Sequence, residues 1–414
     1  MKVVIVGAGI GGLTLALELS DAGIACRVYE AVPAIGPVGV GINILPHATG
    51  VLERHGLIEP LSHVGVLTEE AAFFTRFGQL VHREPAGLLA GYRTPQFSIH
   101  RGDLQQVLLD AVLERLGSDG VVLGHRCTGV SQDERGITAH FQAGPGEDGD
   151  SLPDERADVV VACDGINSVV RRQLHPDEGP PRYSGVTMWR GVTPWRPVLT
   201  GASMVRAGWL AHGKMVIYPI RNATGADGRQ LVNWVAELER PQRSGRDWTR
   251  QGSVDDFIGA FEDWRFDWLD VPALIRGADT VLEYPMVDQD PLDHWSVGRV
   301  TLLGDSAHPM VPRGSNGAGQ AILDARALRE ALVGHRDPVV ALTAYEAQRL
   351  PATSQVVLTN RSSPPDILLK VVWERTGDRP FERIEDVISG DEIARLQEGY
   401  KHVAGYSRAA LDQS

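Results

Sequence analysis

Three glycines carry the first chemical signal. Gly7, Gly9 and Gly12 lie in the run GAGIGG, which has the spacing GxGxxG. An unbroken β-branched run, Val3-Val4-Ile5-Val6, precedes them, and a helical pattern from Leu13 to Leu19 follows and ends before Gly23. Cys26-Arg27-Val28-Tyr29 reads as a second strand leading to Glu30. Strand, tight turn, helix, strand and acid together are the parts of a dinucleotide site. Gly7 permits the turn, Gly9 lets the backbone approach a pyrophosphate, and Gly12 lets the helix pack on the strand. The helix N-terminus supplies free N–H groups and partial positive charge for the phosphates. Glu30 is placed to accept hydrogen bonds from a ribose. This unit alone does not choose between a flavin and a nicotinamide dinucleotide.

Two later segments add to it. Residues 158–163 (DVVVAC) read as a buried strand running into 164–171 (DGINSVVR). Residues 300–303 (VTLL) read as another, leading into 304–310 (GDSAHPM) and the glycine-rich loop 311–320 (VPRGSNGAGQ) before a helix near Ala321. Asp305 then stands at a sheet edge, where it can bond a polyol hydroxyl. The loop exposes backbone N–H groups at a helix start, which suits an anionic or electron-rich ring.

These pieces need a large scaffold. The chain has 414 residues, 43% of them hydrophobic and 22% charged, an ordinary balance for two to three globular domains. A net charge of −13 argues against a general nucleic-acid or anionic-membrane binder. The cysteines, Cys26, Cys127 and Cys163, lie far apart with no CxxC pair. A dithiol centre and a cysteine zinc site are therefore not expected, the histidines have no metal-ligand spacing, and a reducing cytoplasm is the expected location. No run approaches the ~20 apolar residues of a membrane span, and no GxSxG occurs. Eight of nine tryptophans fall between Trp189 and Trp295, among alternating runs at 187–192, 214–218 and 231–235. Alternation predicts an antiparallel sheet with one covered face. Its aromatic side chains suggest a pocket for a flat apolar ligand, while for any single tryptophan a place in the core is the better expectation. Arg190 and Tyr218 are the pocket candidates, Arg190 as the partner of a carboxylate. Residues 142–155 read as an exposed hairpin loop. Beyond Pro364-Pro365 the chain reads as helices packed on the outside or against a partner.

Taken together the motifs resemble the single-component flavoprotein aromatic monooxygenases, the family of para-hydroxybenzoate and salicylate hydroxylases. The resemblance rests on GAGIGG, on 100–105 (HRGDLQ), on the DG segment 164–171 and on the GD segment 304–309, in family order and spacing. It looks nearest to the pyocyanin-forming phenazine monooxygenase branch at 39–43 (GVGIN), 95–101 (PQFSIHR), 188–192 (MWRGV), 284–288 (YPMVD) and 314–324. It covers nearly the whole chain to about Arg349. The C-terminal stretch is less similar, and Arg313 stands where an apolar residue is expected.

The resemblance implies a mixed α/β (α+β) fold. A Rossmann-like FAD-binding domain would be made of residues 1–70, 96–182 and 283–350. The inserted antiparallel-sheet substrate domain would take 71–95 and 183–282, and a helical region 351–414. It implies FAD, with NADH or NADPH as electron donor. Gly7, Gly9, Gly11 and Gly12 would line the pyrophosphate, and Glu30 would hold the adenosine ribose. Gly41 falls with the cofactor-binding set, and Arg101 with the cofactor's polar middle. Cys127 would offer its backbone near the adenine, and Asp305 would bind the ribityl chain. Gly317 and Ala318 would present N–H groups to the flavin N1–C2 edge. Asp164 and Arg171 are candidates to serve FAD and the nicotinamide donor. Pro312 and Gly314 belong to the loop shaping the oxygen-transfer site, and His308 is read as fixing the loop after Asp305 rather than as a base. The implied reaction hydroxylates an aromatic or heteroaromatic ring with O2 through a C4a-hydroperoxyflavin. Decarboxylation would accompany it where the hydroxylated carbon carries a carboxylate. The implied partners are a small aromatic substrate and O2, with no nucleic acid, no integral membrane, and a monomer or homodimer. A non-oxygenating flavin oxidoreductase, a halogenase (against which the missing WxWxIP counts) and a non-catalytic FAD-fold binder remain as alternatives.

Overall fold

The computed structural model describes residues 1–36, 39–144, 146, 148–223, 227–241 and 251–411. Trp248 lies outside the described residues. A parallel sheet forms the first half, in the order Val300–Leu302, Val159–Ala162, Lys2–Val6, Ala25–Tyr29 and Val121–Val122. Its central strands are unbroken Val/Ile runs because helices cover one face and a three-stranded antiparallel sheet the other, and Val3, Val4, Ile5, Val159, Val160 and Val161 are fully buried. Helix Ile10–Asp21 packs against helices Arg101–Leu116 and Gly317–Gly334. A three-stranded antiparallel sheet, His125–Asp133, Gly136–Ala143 and Ser151–Ala157, flanks this unit. The hairpin expected at 142–155 is present, but its second strand begins at Ser151, inside the range expected to be loop. Ser151–Ala157 pairs with Gly136–Ala143 although its Ser, Pro and Asp content reads as loop.

A seven-stranded sheet forms the second half. Its order is Val281–Asp288, Arg182–Trp195, Gln230–Glu239, Gly213–Arg221, Ser203–Trp209, Glu70–Phe74 and Leu80–Pro85. It is antiparallel except where Ser203–Trp209 meets Glu70–Phe74. The sheet continues through Asp288, so the boundary expected at 282/283 falls inside a strand. Strand alternation sorts its two faces. Trp189 and Trp234 point to one face, where Phe257, Phe261 and Trp264 cover them. Met188, Arg190, Val216, Tyr218 and Val235 point to the other, toward the first half. Trp189 and Trp234 are therefore core on the far face, the better expectation for any single tryptophan.

Helices Pro338–Ser362, Ile367–Thr376 and Gly390–Ala404 follow, with Pro364 and Pro365 between the first two, and a last helical turn spans Arg408–Leu411. Each of the three helices buries one face and leaves the other exposed. Leu368, Leu369, Val372 and Ile393 pack on Phe73 and Val81 of the large sheet. Among the described residues no helix is long and apolar enough to cross a membrane.

Candidate active site

The glycines of the first turn do different jobs. Gly7 has φ +102°, and a Cβ there would lie 2.5 Å from the Cys163 carbonyl oxygen. A Cβ at Gly12 would lie 2.0 Å from the Gly7 carbonyl oxygen, and one at Gly11 would lie 2.7 Å from the Leu303 side chain. These three glycines let strand, turn and helix close on one another. Gly9 alone faces open space, with nothing within 4 Å of its Cβ position. Glu30 turns its carboxylate back to this turn, accepting from Ala8 N at 2.8 Å and Val32 N at 3.0 Å. Gln105 Nε2 donates to Ala8 O at 2.7 Å, a contact that the HRGDLQ run held without announcing. Arg101 opens its helix with an exposed side chain whose stem packs near Gly39. Its guanidinium has no hydrogen bond or ion pair among the described residues. Cys127 is buried, and burial pushes its thiol up to about 12, so the side chain is inert.

The DG and GD segments lie side by side. Asp164 Oδ2 accepts from Val169 N at 2.9 Å, while its buried Oδ1 has no partner. Burial raises that carboxyl's pKa. Arg171 is buried. It donates through Nη1 to Ser306 O (2.9 Å) and Ala307 O (2.8 Å), and pairs with Glu178 through Nε and Nη2. All three of its nitrogens are engaged in clamping one segment to the other. Asp305 is exposed, and its Oδ1 lies 3.7 Å from the Cβ position of Gly317, at the start of the 18-residue helix Gly317–Gly334. His308 Nε2 lies 2.5 Å from Asp324 Oδ2, which also accepts from Gly304 N at 3.2 Å, while Arg349 Nε donates to Asp324 Oδ1 at 2.7 Å. Burial alone would raise the Asp324 pKa, but the charges of His308 and Arg349 hold it below the usual range. His308 is thus a buried brace for the loop.

The loop at Pro312–Gly314 is held from behind. A Cβ on Gly314 would sit 1.4 Å from Tyr400 Oη. Tyr400 donates to Asn360 Oδ1 at 2.7 Å, and Asn360 Nδ2 donates to Val311 O at 3.2 Å. Gln320 Nε2 donates to Ala404 O at 3.0 Å, and His47 meets Asn316 Oδ1 at 3.1 Å. The C-terminal helices therefore form a wall of the site. Sequence reading missed Tyr400, Asn360 and His47, since no local motif marks them. Arg190 and Tyr218 meet at Gly41. Arg190 Nη2 donates to Gly41 O at 2.8 Å, and Asn233 Oδ1 accepts from Gly41 N at 2.8 Å. A Cβ on Gly41 would strike Ile220, Tyr218 and Asn233 at 2.7–2.8 Å. Gly41, expected with the cofactor set, is a glycine because the first half packs there on the large sheet. Arg190 Nε is buried and unpaired, beside the partly exposed Val216 and Tyr284.

The FAD binding domain family matches residues 1–254 and 271–360 of this chain. The chain belongs to that family. It is 43% identical over 363 residues to phenazine 1,6-dicarboxylic acid hydroxylase PhzS of Lysobacter antibioticus, spanning 87% of this chain and 89% of that protein. It is 34% identical to the 3-amino-4-hydroxybenzoate 2-monooxygenase of Streptomyces cremeus, over 86% and 85% of the two chains. Klebsiella pneumoniae HpxO, solved with FAD and uric acid, superposes with a TM-score of 0.76 at 25% identity, covering 99% and 97%. A salicylate hydroxylase substrate complex shares the fold, with a TM-score of 0.72 at 23% identity over 100% and 97%. As a member of the family, the protein is an FAD-dependent monooxygenase that draws electrons from NADH or NADPH and hydroxylates aromatic substrates. Halogenase and binding-protein readings find no support among these relatives. The residues present fit the cofactor. The open cradle at Gly9, the orphaned oxygen of Asp164, the unpaired Arg101 and the carboxylate of Asp305 beside a helix start suit an extended molecule with phosphates in its middle and hydroxyls on either side.

Proposed function

We propose that the enzyme hydroxylates a fused N-heteroaromatic carboxylic acid of the phenazine class. Arg190 carries this reading. Its guanidinium reaches an apolar face of Met188, Val216, Val235 and Tyr284 and keeps a buried, unpaired Nε there. A carboxylate would satisfy that nitrogen and align the ring, and a charge-assisted pair of this kind is strong and directional. The 43% identity to a phenazine hydroxylase supports the ring class.

Several residues would hold FAD. Its pyrophosphate would lie at Gly9 and the N-terminus of helix Ile10–Asp21, near Arg101. Glu30 would take the adenosine ribose, Asp164 Oδ1 a cofactor hydroxyl, and Asp305 the ribityl chain. The Gly317 and Ala318 N–H groups would offer partial positive charge to the pyrimidine edge of the ring. Bound FAD supplies the redox and oxygen-transfer chemistry. The protein's own work is to orient the substrate through Arg190 and to close the site with the Pro312–Gly314 loop and the C-terminal wall. Unpaired, buried or half-buried cysteines suit a reducing cytoplasm.

The test follows NADH and NADPH oxidation, O2 uptake and product mass with phenazine-1-carboxylate, salicylate and 3-amino-4-hydroxybenzoate. We expect stimulation and an oxygenated product with the phenazine, CO2 release if the carboxyl-bearing carbon reacts, and a KM raised on the order of 100-fold in R190A. A preference for a single-ring acid, or an unchanged KM in R190A, overturns the proposal.

A further inference from the structure

The face of the large sheet that looks toward the first half is sealed over most of its middle. Met188, Arg206, Tyr218 and Val235 are buried on it, whereas Arg190, Val216, Leu282 and Tyr284 keep part of their surface open. These four stand around the apolar floor described above. Of the four, Arg190 and Tyr284 carry the hydrogen-bonding groups.

Strand register puts those two side by side. Arg190 pairs with Leu282 and Met188 with Tyr284, so Tyr284 is the diagonal neighbour of Arg190 on one face. Diagonal neighbours stand about 7–8 Å apart, within reach of an arginine and a tyrosine. The same phenol also feels the charge of Arg101, from the nucleotide-binding half. Tyr284 thus lies on the seam between the two halves, at the open side of the floor. Burial raises its pKa, and the two arginines only partly oppose that. At neutral pH the hydroxyl therefore keeps its proton and can donate it to an acceptor.

Arg190 alone is half an anchor. Its Nη2 is engaged with Gly41 O at 2.8 Å, which leaves the buried, unpaired Nε to face a ligand. A carboxylate has two oxygens, and a ring held through one of them can swivel about that bond. We infer that Tyr284 supplies the other half: its hydroxyl donates to the second carboxylate oxygen while Arg190 Nε holds the first, and the pair fixes which edge of the ring is presented for oxygen transfer. This inference rests on the proposed function and adds to it a residue that determines specificity.

The test titrates FAD-loaded enzyme with phenazine-1-carboxylate and with phenazine, which has no carboxylate, reading the shift of the flavin absorbance. Y284F keeps the ring that packs beside Met188 and removes only the donor. Its Kd for the acid should rise about tenfold, the cost of a lost hydrogen bond to a charged group, while its Kd for phenazine stays at the wild-type value. Turnover of the acid by Y284F should give a mixture of hydroxylated isomers where wild type gives one. An unchanged Kd for the acid, or a rise matched by phenazine, overturns the assignment and leaves the proposed function standing. A single wild-type isomer from Y284F overturns it too. So does an FAD Kd that rises in Y284F while the preference for the acid is kept, since the hydroxyl would then serve the cofactor. A wild-type enzyme that binds phenazine as tightly as the acid, or binds neither, overturns the proposed function as well.

Discussion

At the scale of single residues, glycines that look alike in the sequence separate by what surrounds them. The GxGxxG spacing made the nucleotide turn legible, because only such a turn needs glycines at those intervals after a buried strand. It could not say which glycine faces outward. Gly9 has φ −73° and ψ −179°, an extended conformation open to any residue, with free space at its Cβ position. G9A should therefore leave the apoprotein as stable as wild type, or about 0.4–1 kcal/mol more stable, by restricting the unfolded chain. Its FAD affinity should fall about tenfold or more, because the methyl would occupy the approach of the pyrophosphate. Equal FAD affinity by fluorescence titration would mean that the phosphates lie elsewhere. G12A should behave in the opposite way. Its methyl meets a backbone oxygen at 2.0 Å, and backbone cannot move aside cheaply. We expect a loss on the order of 3 kcal/mol in the apoprotein itself, measured by denaturant unfolding. Gly314 is a third case, with Tyr400 Oη filling its Cβ position. G314A should cost on the order of 2–3 kcal/mol, and less in a Y400F background, since the two changes share one contact. Strict additivity in that double-mutant cycle would show that the loop is not braced by Tyr400.

At the scale of elements, legibility followed burial. Residues 3–6, 159–162 and 300–302 were readable as strands because a strand covered on both faces must be apolar throughout. Alternation revealed the large sheet, but a period of two is silent about which face is which. That is why the sequence could expect core for any single tryptophan and still not say which of the sheet's aromatics line a pocket. The last strand of the small antiparallel sheet hid behind Ser, Pro and Asp, since its pairing with Gly136–Ala143 supplies the order that its composition does not. His47 was invisible for another reason, as its environment comes from a helix nearly 270 positions away. It starts the helix Pro46–Arg54 and meets Asn316 at the head of Gly317–Gly334. Burial pushes its pKa down to about 4, Arg349 pushes the same way, and the Asn316 contact only partly opposes them. In the unfolded chain it returns to about 6.5. Between these values the unfolded state binds the extra proton, so stability rises with pH from about 4 to 6.5 and is lost as pH falls through that window. The slope from this group should approach 1.4 kcal/mol per pH unit, on the order of 3 kcal/mol in all. Denaturant unfolding at pH 4.5, 5.5 and 7 should show that dependence in wild type and a flatter one in H47Q. Parallel profiles would place the neutral imidazole outside the helix junction.

At the scale of the whole molecule, the C-terminal helices complete an enzyme whose other two parts leave one side open. They are joined to the large sheet by Arg361 with Asp288 (2.7 Å) and by Lys401 with Glu84 (2.9 Å), and the loop that follows the sheet's edge strand adds Tyr92, which donates to Tyr406 O at 2.8 Å. Their deepest tie is Asp366, 1% exposed, which meets Lys214 of the sheet beside Glu237. Burial alone would raise the Asp366 pKa, but Lys214 and Arg313 hold it below the usual range, so it carries its charge in the folded enzyme. Arg313, which departs from the apolar residue expected there, thereby couples the loop at Pro312–Gly314 to the same carboxylate. D366N keeps the shape and removes the charge, leaving Lys214 and Arg313 short of an anion. Breaking a buried pair in this way costs about 3–5 kcal/mol, and the loss should fall on the seam between sheet and helices. Hydrogen exchange should then quicken across residues 390–411, before it quickens in the parallel sheet. Function should fail in a particular manner. A hydroxylase must keep water from the reacting ring system, so an opened seam should leave NADH oxidation running while the yield of hydroxylated product per NADH falls and H2O2 appears. A D366N enzyme that is less stable yet transfers oxygen with the wild-type yield would show that water is excluded by the loop and the large sheet alone, and that the C-terminal helices serve stability only.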